Sequence, residues 1–225
     1  MTGTHTKPRT REPMSALNRV PLRESGEPLV DARHHCPGVR VSRRCLPLLR
    51  ETVAEMLARA QASLPAGYRL WLRTALRTME MQRAHYDSYF AQVRLAHPDW
   101  TYATLRRATN RYFAPVDQKA PPGHCTGGAA DVWLLKPGGR VADTFSPFTD
   151  WEGAATFREG LTAEARRCRT LLYETMVGAG FSNCADEFWH YSYGDAAWAV
   201  RTGAPYCLYG PVLPPESYLG CPSRA

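Results

Sequence analysis

Residues 124–135 read His-Cys-Thr-Gly-Gly-Ala-Ala-Asp-Val-Trp-Leu-Leu, and this stretch decides the fold class. Its second half, Ala129 to Leu135, is short, mostly apolar and followed at once by the Pro137-Gly138-Gly139 turn. An apolar run of that length between turn signals reads as a buried strand. Ahead of it, Pro115 to Gly128 holds three prolines and three glycines and is therefore loop. Tyr68 to Thr74 supplies a second strand, with Tyr68, Leu70 and Leu72 alternating against Arg69, Trp71 and Arg73. The aromatic run from Glu187 to Tyr193 supplies a third.

Helical periods lie between these strands. From Leu46, the residues Leu48, Leu49, Val53, Met56, Leu57 and Ala60 recur at three- and four-residue steps until Pro65 and Gly67. Residues 79–96 and 101–112 read as helices parted by Pro98-Asp99, and Glu159 to Gly178 reads as a long helix. The order of elements is not a regular strand–helix–strand series. An α+β fold is expected: one domain, with a small antiparallel sheet and helices packed on it. Residues 1–25 are polar, basic and proline-bearing, and are expected to form a flexible or strap-like arm on a domain of 26–225. The tail, with prolines at 205, 211, 214, 215 and 222, is expected to wrap the surface.

The 225 residues are 44% hydrophobic and 22% charged, which excludes a wholly disordered or collagen-like chain. No apolar run approaches the roughly 18–20 residues of a membrane helix. The opening MTGTHTKPRTREP has no apolar stretch after its basic residues, so a soluble, cytoplasmic protein without a membrane partner is expected. The net charge of +7 comes from arginine, because Lys7, Lys119 and Lys136 are the only lysines. Those arginines are scattered among alanines rather than gathered in a patch, so nucleic acid is not expected as a partner. Seven cysteines without a CxxC pair give neither a zinc ribbon nor a disulfide framework, and reduced thiols are expected.

Two clusters join a histidine to a carboxylate: His124 to Asp131, and Glu187-Phe188-Trp189-His190. A catalytic zinc takes three nitrogen or oxygen ligands and keeps one position open for water. His124, Asp131 and His190 offer two imidazoles and a carboxylate, and Gly127-Gly128 allows the tight return that brings the first two together. Zinc lowers the pKa of bound water to about 7 and polarises a carbonyl, and a further carboxylate must then carry the proton. Glu187 is the candidate. Positions three apart on an ideal strand face opposite sides, so Glu187 reaches the site only if the segment is irregular at Glu187 or if Glu187 still belongs to the preceding loop. The competing reading makes His190 a hydrogen-bonded core residue and Asp131 a turn residue, and the spacing leaves both open. His34, His35, Cys36 and Cys45 read as loop rather than as metal ligands.

The same clusters resemble the D-alanyl-D-alanine dipeptidases of the vancomycin-resistance type, within the zinc D,D-peptidase and hedgehog-domain group. The family's SxHxxGxAxD motif is matched at His124, Gly127, Ala129 and Asp131, and its ExWH motif at Glu187, Trp189 and His190. The family's Gly-Tyr-x-Leu strand is matched by Gly67-Tyr68-Arg69-Leu70, and Leu76-Arg77-Thr78 stands where the family has Tyr-Arg-Pro. The resemblance implies one zinc per chain on His124, Asp131 and His190, with Glu187 as general base and Arg77 stabilising the oxyanion. It also implies that Asp150 receives the amino group of a small peptide such as D-Ala-D-Ala. Pro122 replaces the motif's serine, and Cys125 follows the first histidine, so the pocket walls depart from the family pattern. Alternative readings are a zinc hydrolase of another amide or of a stem peptide, and a non-catalytic binding protein on the same scaffold.

Overall fold

The computed structural model describes residues 11–219. Its strands are β1 (Leu29–Asp31), β2 (Arg40–Val41), β3 (Leu48–Arg50), β4 (Arg69–Thr74), β5 (Ala129–Leu135), β6 (Ser182–Asn183) and β7 (His190–Ser192). Its helices are α1 (Met14–Leu17), α2 (Ala32–His35), α3 (Glu51–Ser63), α4 (Met79–Ala96), α5 (Tyr102–Thr109), α6 (Ala163–Gly178), α7 (Ala196–Thr202) and α8 (Glu216–Leu219). Five strands form one sheet in the order β2-β4-β5-β7-β6, and β1 pairs with β3 in a separate antiparallel ribbon. The five-stranded sheet is antiparallel except where β2 runs parallel to β4.

Strand alternation sorts the residues of β4 and β5 onto two faces. Leu70 lies opposite Leu134 and Leu72 opposite Val132, and all four are fully buried. Leu70, Leu72 and Val132, with Ala130 and Tyr191, share one core with Val53, Leu57, Leu172 and Met176 of α3 and α6, and Leu134 packs with Ala142 and Cys168. Each such side chain removed from water contributes about 1.5–3 kcal/mol. The other face carries Trp71 opposite Trp133 and, one step along, Asp131 opposite His190. Arg73 lies over both indoles, and Trp133 stacks on Trp189 with ring centroids 5.2 Å apart. This second face, free of α3 and α6, carries the histidine–carboxylate clusters.

Four boundaries differ from the sequence reading. Leu48–Arg50 is strand, and the helix after it begins at Glu51. The two leucines fit a helical phase as well as a strand, and pairing with β1 decides the matter. Helix α6 begins at Ala163 rather than Glu159, because Gly160 takes a left-handed φ of 79° and the Thr162 hydroxyl caps Ala165. The segment after Thr101 is helical only to Thr109. The aromatic strand begins at His190, not Glu187.

Arg11 to Ser25 crosses the domain surface. Glu12 forms a two-point ion pair with Arg201 of α7 at 2.8 and 3.0 Å, and both side chains are buried. Further on, the Arg23 and Ser25 amides donate to the carbonyls of Cys207 and Leu208. The part of the expected arm before Arg11 lies outside the described residues. In the tail, Tyr209 is fully buried, the Val212 amide donates to the Cys125 carbonyl, and the Tyr218 hydroxyl donates to Asp31. Cys221 lies outside the described residues, and the six described cysteines are free thiols. Among the described residues no helix is long and apolar enough to cross a membrane.

Candidate metal centre

His124 sits on the 3-10 turn Gly123–Thr126, which ends at Gly127 with a left-handed φ of 73°. A Cβ at Gly127 would lie 2.8 Å from Leu29, and one at Gly128 2.6 Å from the Tyr193 carbonyl. Both glycines are therefore required for the chain to drop straight into β5. Buried Arg50 holds this return from the side, donating to the Thr126 carbonyl at 2.9 Å and the Glu27 carbonyl at 2.6 Å.

The sheet register then does what sequence spacing alone cannot. Asp131 is the direct cross-strand partner of His190 and of Thr74. Asp131 Oδ1 lies 3.2 Å from His124 Nε2 and 3.0 Å from His190 Nδ1. The three ligand-capable atoms fall within 4.8 Å of one another. Ligands 2.0–2.2 Å from a tetrahedral ion stand about 3.4 Å apart, so the donor set and its spacing fit zinc. His124 is oriented for that use: its Nδ1 lies 2.8 Å from the Ala75 carbonyl, which leaves Nε2 facing Asp131. Among the described residues this is the one grouping of three such side chains. Cys125, although next to His124, is fully buried and outside it. His34 and His35 belong to α2, where His35 Nδ1 meets the Asp31 carbonyl.

Glu187 lies in the turn before β7. The His190 amide donates to the Glu187 carbonyl at 3.1 Å, so residues 187 and 190 are joined by a turn and not by an extended strand. The Asn183 side-chain amide lies 3.0–3.4 Å from the carbonyls of Glu187, Phe188 and His190 and holds that turn. Arg77 follows β4. Its amide donates to the His124 carbonyl at 3.0 Å, and Nη2 stands 3.6 Å from Asp131 Oδ2. Gln82 of α4 braces the Arg77 guanidinium at 3.3 Å and donates to the Ala114 carbonyl.

The electrostatics follow from this packing. Burial alone would raise the Asp131 carboxyl, but the two imidazoles hold it well below the usual range. Burial pushes His124 down, with Arg77 adding to it and Asp131 opposing. Burial raises Glu187; His190 opposes that and Asp131 adds to it.

Asp150 is not in this grouping. Its carboxylate is exposed and accepts the Glu152 amide at 2.9 Å, capping a 3-10 turn at Trp151–Gly153. Asp150 and Glu187 nevertheless line one cleft of about 880 Å³, together with Trp151 and residues of the N-terminal segment.

A sequence profile of the D-Ala-D-Ala dipeptidase family, M15 peptidases, matches residues 38–206. The chain belongs to this peptidase family. A curated D-alanyl-D-alanine dipeptidase of Synechocystis sp. is 23% identical over 222 residues, covering 83% of this chain and 90% of that protein. Among solved structures, VanYB in complex with D-alanine-D-alanine matches at 18% identity and TM-score 0.44, covering 76% of this chain and 82% of that one. A VanB-type D,D-pentapeptidase VanY in complex with Zn(II) matches at 16% identity and TM-score 0.44, covering 91% and 99%. In this M15 peptidase the turn, the register and the braced arginine are assembled from segments spread over the matched region.

Sequence reasoning missed Arg169, which carries no motif. This buried residue of α6 donates to the carbonyls of Thr144 (2.6 Å), Ala155 (2.5 Å) and Gly153, and lies over Phe188. It thereby holds the loop bearing Asp150 and Trp151 against the turn bearing Glu187. Arg169→Met is expected to leave those carbonyls unpaired and to lower stability by about 3 kcal/mol: three hydrogen bonds to a charged group are worth about 1.5–3 kcal/mol each, offset in part because a guanidinium charge is no longer buried. A thermal melt reads this as a fall of about 2–4 °C per kcal/mol. An unchanged melting temperature would contradict the clamp.

Proposed function

We propose that this chain is a zinc D,D-peptidase that hydrolyses a small peptide such as D-Ala-D-Ala. The carrying observation is the convergence of His124, Asp131 and His190 on the sheet face turned away from α3 and α6, with Glu187 in the adjoining turn and Arg77 beside Asp131. His124 Nε2, an Asp131 carboxylate oxygen and His190 Nδ1 hold the metal. When bound, zinc supplies a Lewis acid that acidifies water and polarises the scissile carbonyl.

The remaining work belongs to the chain's own side chains. The Glu187 carboxylate accepts a proton from the attacking water and returns it to the departing amine, which leaves as a neutral amino group. The Arg77 guanidinium, held by its backbone bond to His124 and by Gln82, faces the negative charge that develops on the carbonyl oxygen. A fixed cation aimed at developing charge needs no reorganisation during the reaction. Asp150, at the wall of the same cleft, receives the substrate's ammonium.

A second reading is supported by Pro122, which replaces the motif serine two residues before His124 and favours a longer D-Ala-D-Ala-ending peptide or another amide. The 880 Å³ cleft takes in Glu187 but none of His124, Asp131, His190 or Arg77, so its volume does not set the size of the substrate. The test is alanine release from D-Ala-D-Ala, L-Ala-L-Ala and a D-Ala-D-Ala-ending pentapeptide by the zinc-loaded chain. Turnover of the D,D-dipeptide above both others is the expected result. Preference for the pentapeptide moves the assignment to the second reading, and turnover of the L,L-dipeptide alone contradicts D,D specificity and leaves only the other-amide form of that second reading.

A further inference from the structure

The N-terminal segment contributes a wall to the cleft that holds Glu187, and one of its side chains is a cation set to meet an anion there. Arg11, Glu12, Met14 and Leu17 line the cleft from one side, with Asp150 and Glu187 on its lining as well. We propose that Arg11 binds the free carboxylate terminus of the peptide substrate, an inference that rests on the peptidase reading above.

Three features place the guanidinium for that purpose. The neighbouring Glu12 is locked to Arg201 by the buried two-point ion pair, so the segment is pinned one residue from Arg11. Arg11 Nη1 donates to the carbonyls of Arg111 at 2.7 Å and Asn110 at 3.4 Å. These bonds fix the plane of the guanidinium while using one of its nitrogens, and among the described residues no carboxylate forms an ion pair with Arg11. The rest of the planar fork matches the two oxygens of a carboxylate. Arg107 and Arg111 also line the cleft, but both are exposed, where water and salt screen a charge; Arg11 is half-buried. An arginine and Asp150 on one cleft give complementary charges for the two ends of a zwitterionic peptide.

Binding of D-Ala-D-Ala and of its C-terminal amide tests this by calorimetry on the zinc-loaded full chain carrying Glu187→Gln, so that ligand is not consumed. The acid is expected to bind about tenfold or more tightly than the amide, each tenfold being one decade of Kd. Arg11→Gln, which keeps hydrogen-bond donors and removes the charge, is expected to weaken the acid alone and bring the two affinities within about twofold. Arg11→Lys is expected to restore part of the preference, and the melting temperature of each variant checks folding. An acid-to-amide ratio unchanged by Arg11→Gln overturns the assignment, as does the absence of a preference, or of binding, in the Arg11 parent. The two proposals fail separately. Turnover of D-Ala-D-Ala with an unchanged ratio sinks the role of Arg11 alone, whereas a ratio lost in Arg11→Gln without turnover of D-Ala-D-Ala by the native chain keeps the carboxylate site and sinks the dipeptidase reading.

Discussion

Glu187→Ala is expected to retain one zinc per chain and to lose D-Ala-D-Ala turnover by about a thousandfold, within the 10²–10⁴ range of a positioned proton carrier. Retention of metal follows from the geometry: the trio is His124, Asp131 and His190, and Glu187 is not part of it. The residue's backbone matters to the fold through the His190 amide, but alanine keeps that carbonyl. The loss should therefore appear in kcat, with melting temperature close to that of the native chain. Alanine-release kinetics beside zinc analysis decide it. Retained hydrolysis in a preparation free of other peptidases would remove Glu187 from the reaction, and loss of zinc would make it a ligand instead.

His190→Ala is expected to do the reverse, lowering zinc content first and activity as a consequence. The imidazole lies on the short strand β7, where Asp131 is its cross-strand partner, so its removal takes away one of three donors without disturbing the backbone ladder. Metal that binds the folded chain alone stabilises it by RT ln(1 + [L]/Kd), about 4 kcal/mol at a thousand times Kd. Added zinc should thus raise the melting temperature of the native chain and move that of His190→Ala far less. Equal zinc stoichiometry and an equal thermal shift in the two proteins would exclude His190 as a ligand.

How much of this was legible in the sequence depends on the range of the interaction that decides each feature. Ala129–Leu135 was readable to the residue, because burial on both faces leaves an uninterrupted apolar run bounded by glycines and prolines. Met79–Ala96 was likewise readable from its pattern, and in the structure the Thr78 hydroxyl caps its first turn. Leu48–Arg50 was not: two leucines fit either period, and the choice is made by a ladder to β1 nearly twenty residues upstream. The Glu187 turn was foreshadowed by the spacing problem itself, since residues three apart cannot share a strand face. What fixes that turn, the Asn183 amide, acts through carbonyls and leaves no trace in side-chain pattern.

The site shows the same division. His124, Asp131, His190, Glu187 and Arg77 could be named from motif and resemblance, and their chemistry argued from residue type. Their mutual distances come from register, with Asp131 set opposite His190 and Ala75 placed to orient His124. Arg50, Arg169 and Arg11 escaped notice because arginine is abundant in this chain, and nothing local separates a buried clamp from a solvated charge.

The most direct measurement is anomalous diffraction at the zinc edge from crystals of the zinc-loaded chain. One peak is expected 2.0–2.2 Å from His124 Nε2, an Asp131 carboxylate oxygen and His190 Nδ1, the usual zinc distances to nitrogen and oxygen. A peak coordinated by cysteine sulfur, or zinc bound elsewhere while these three side chains remain hydrogen-bonded only to one another, would contradict the account.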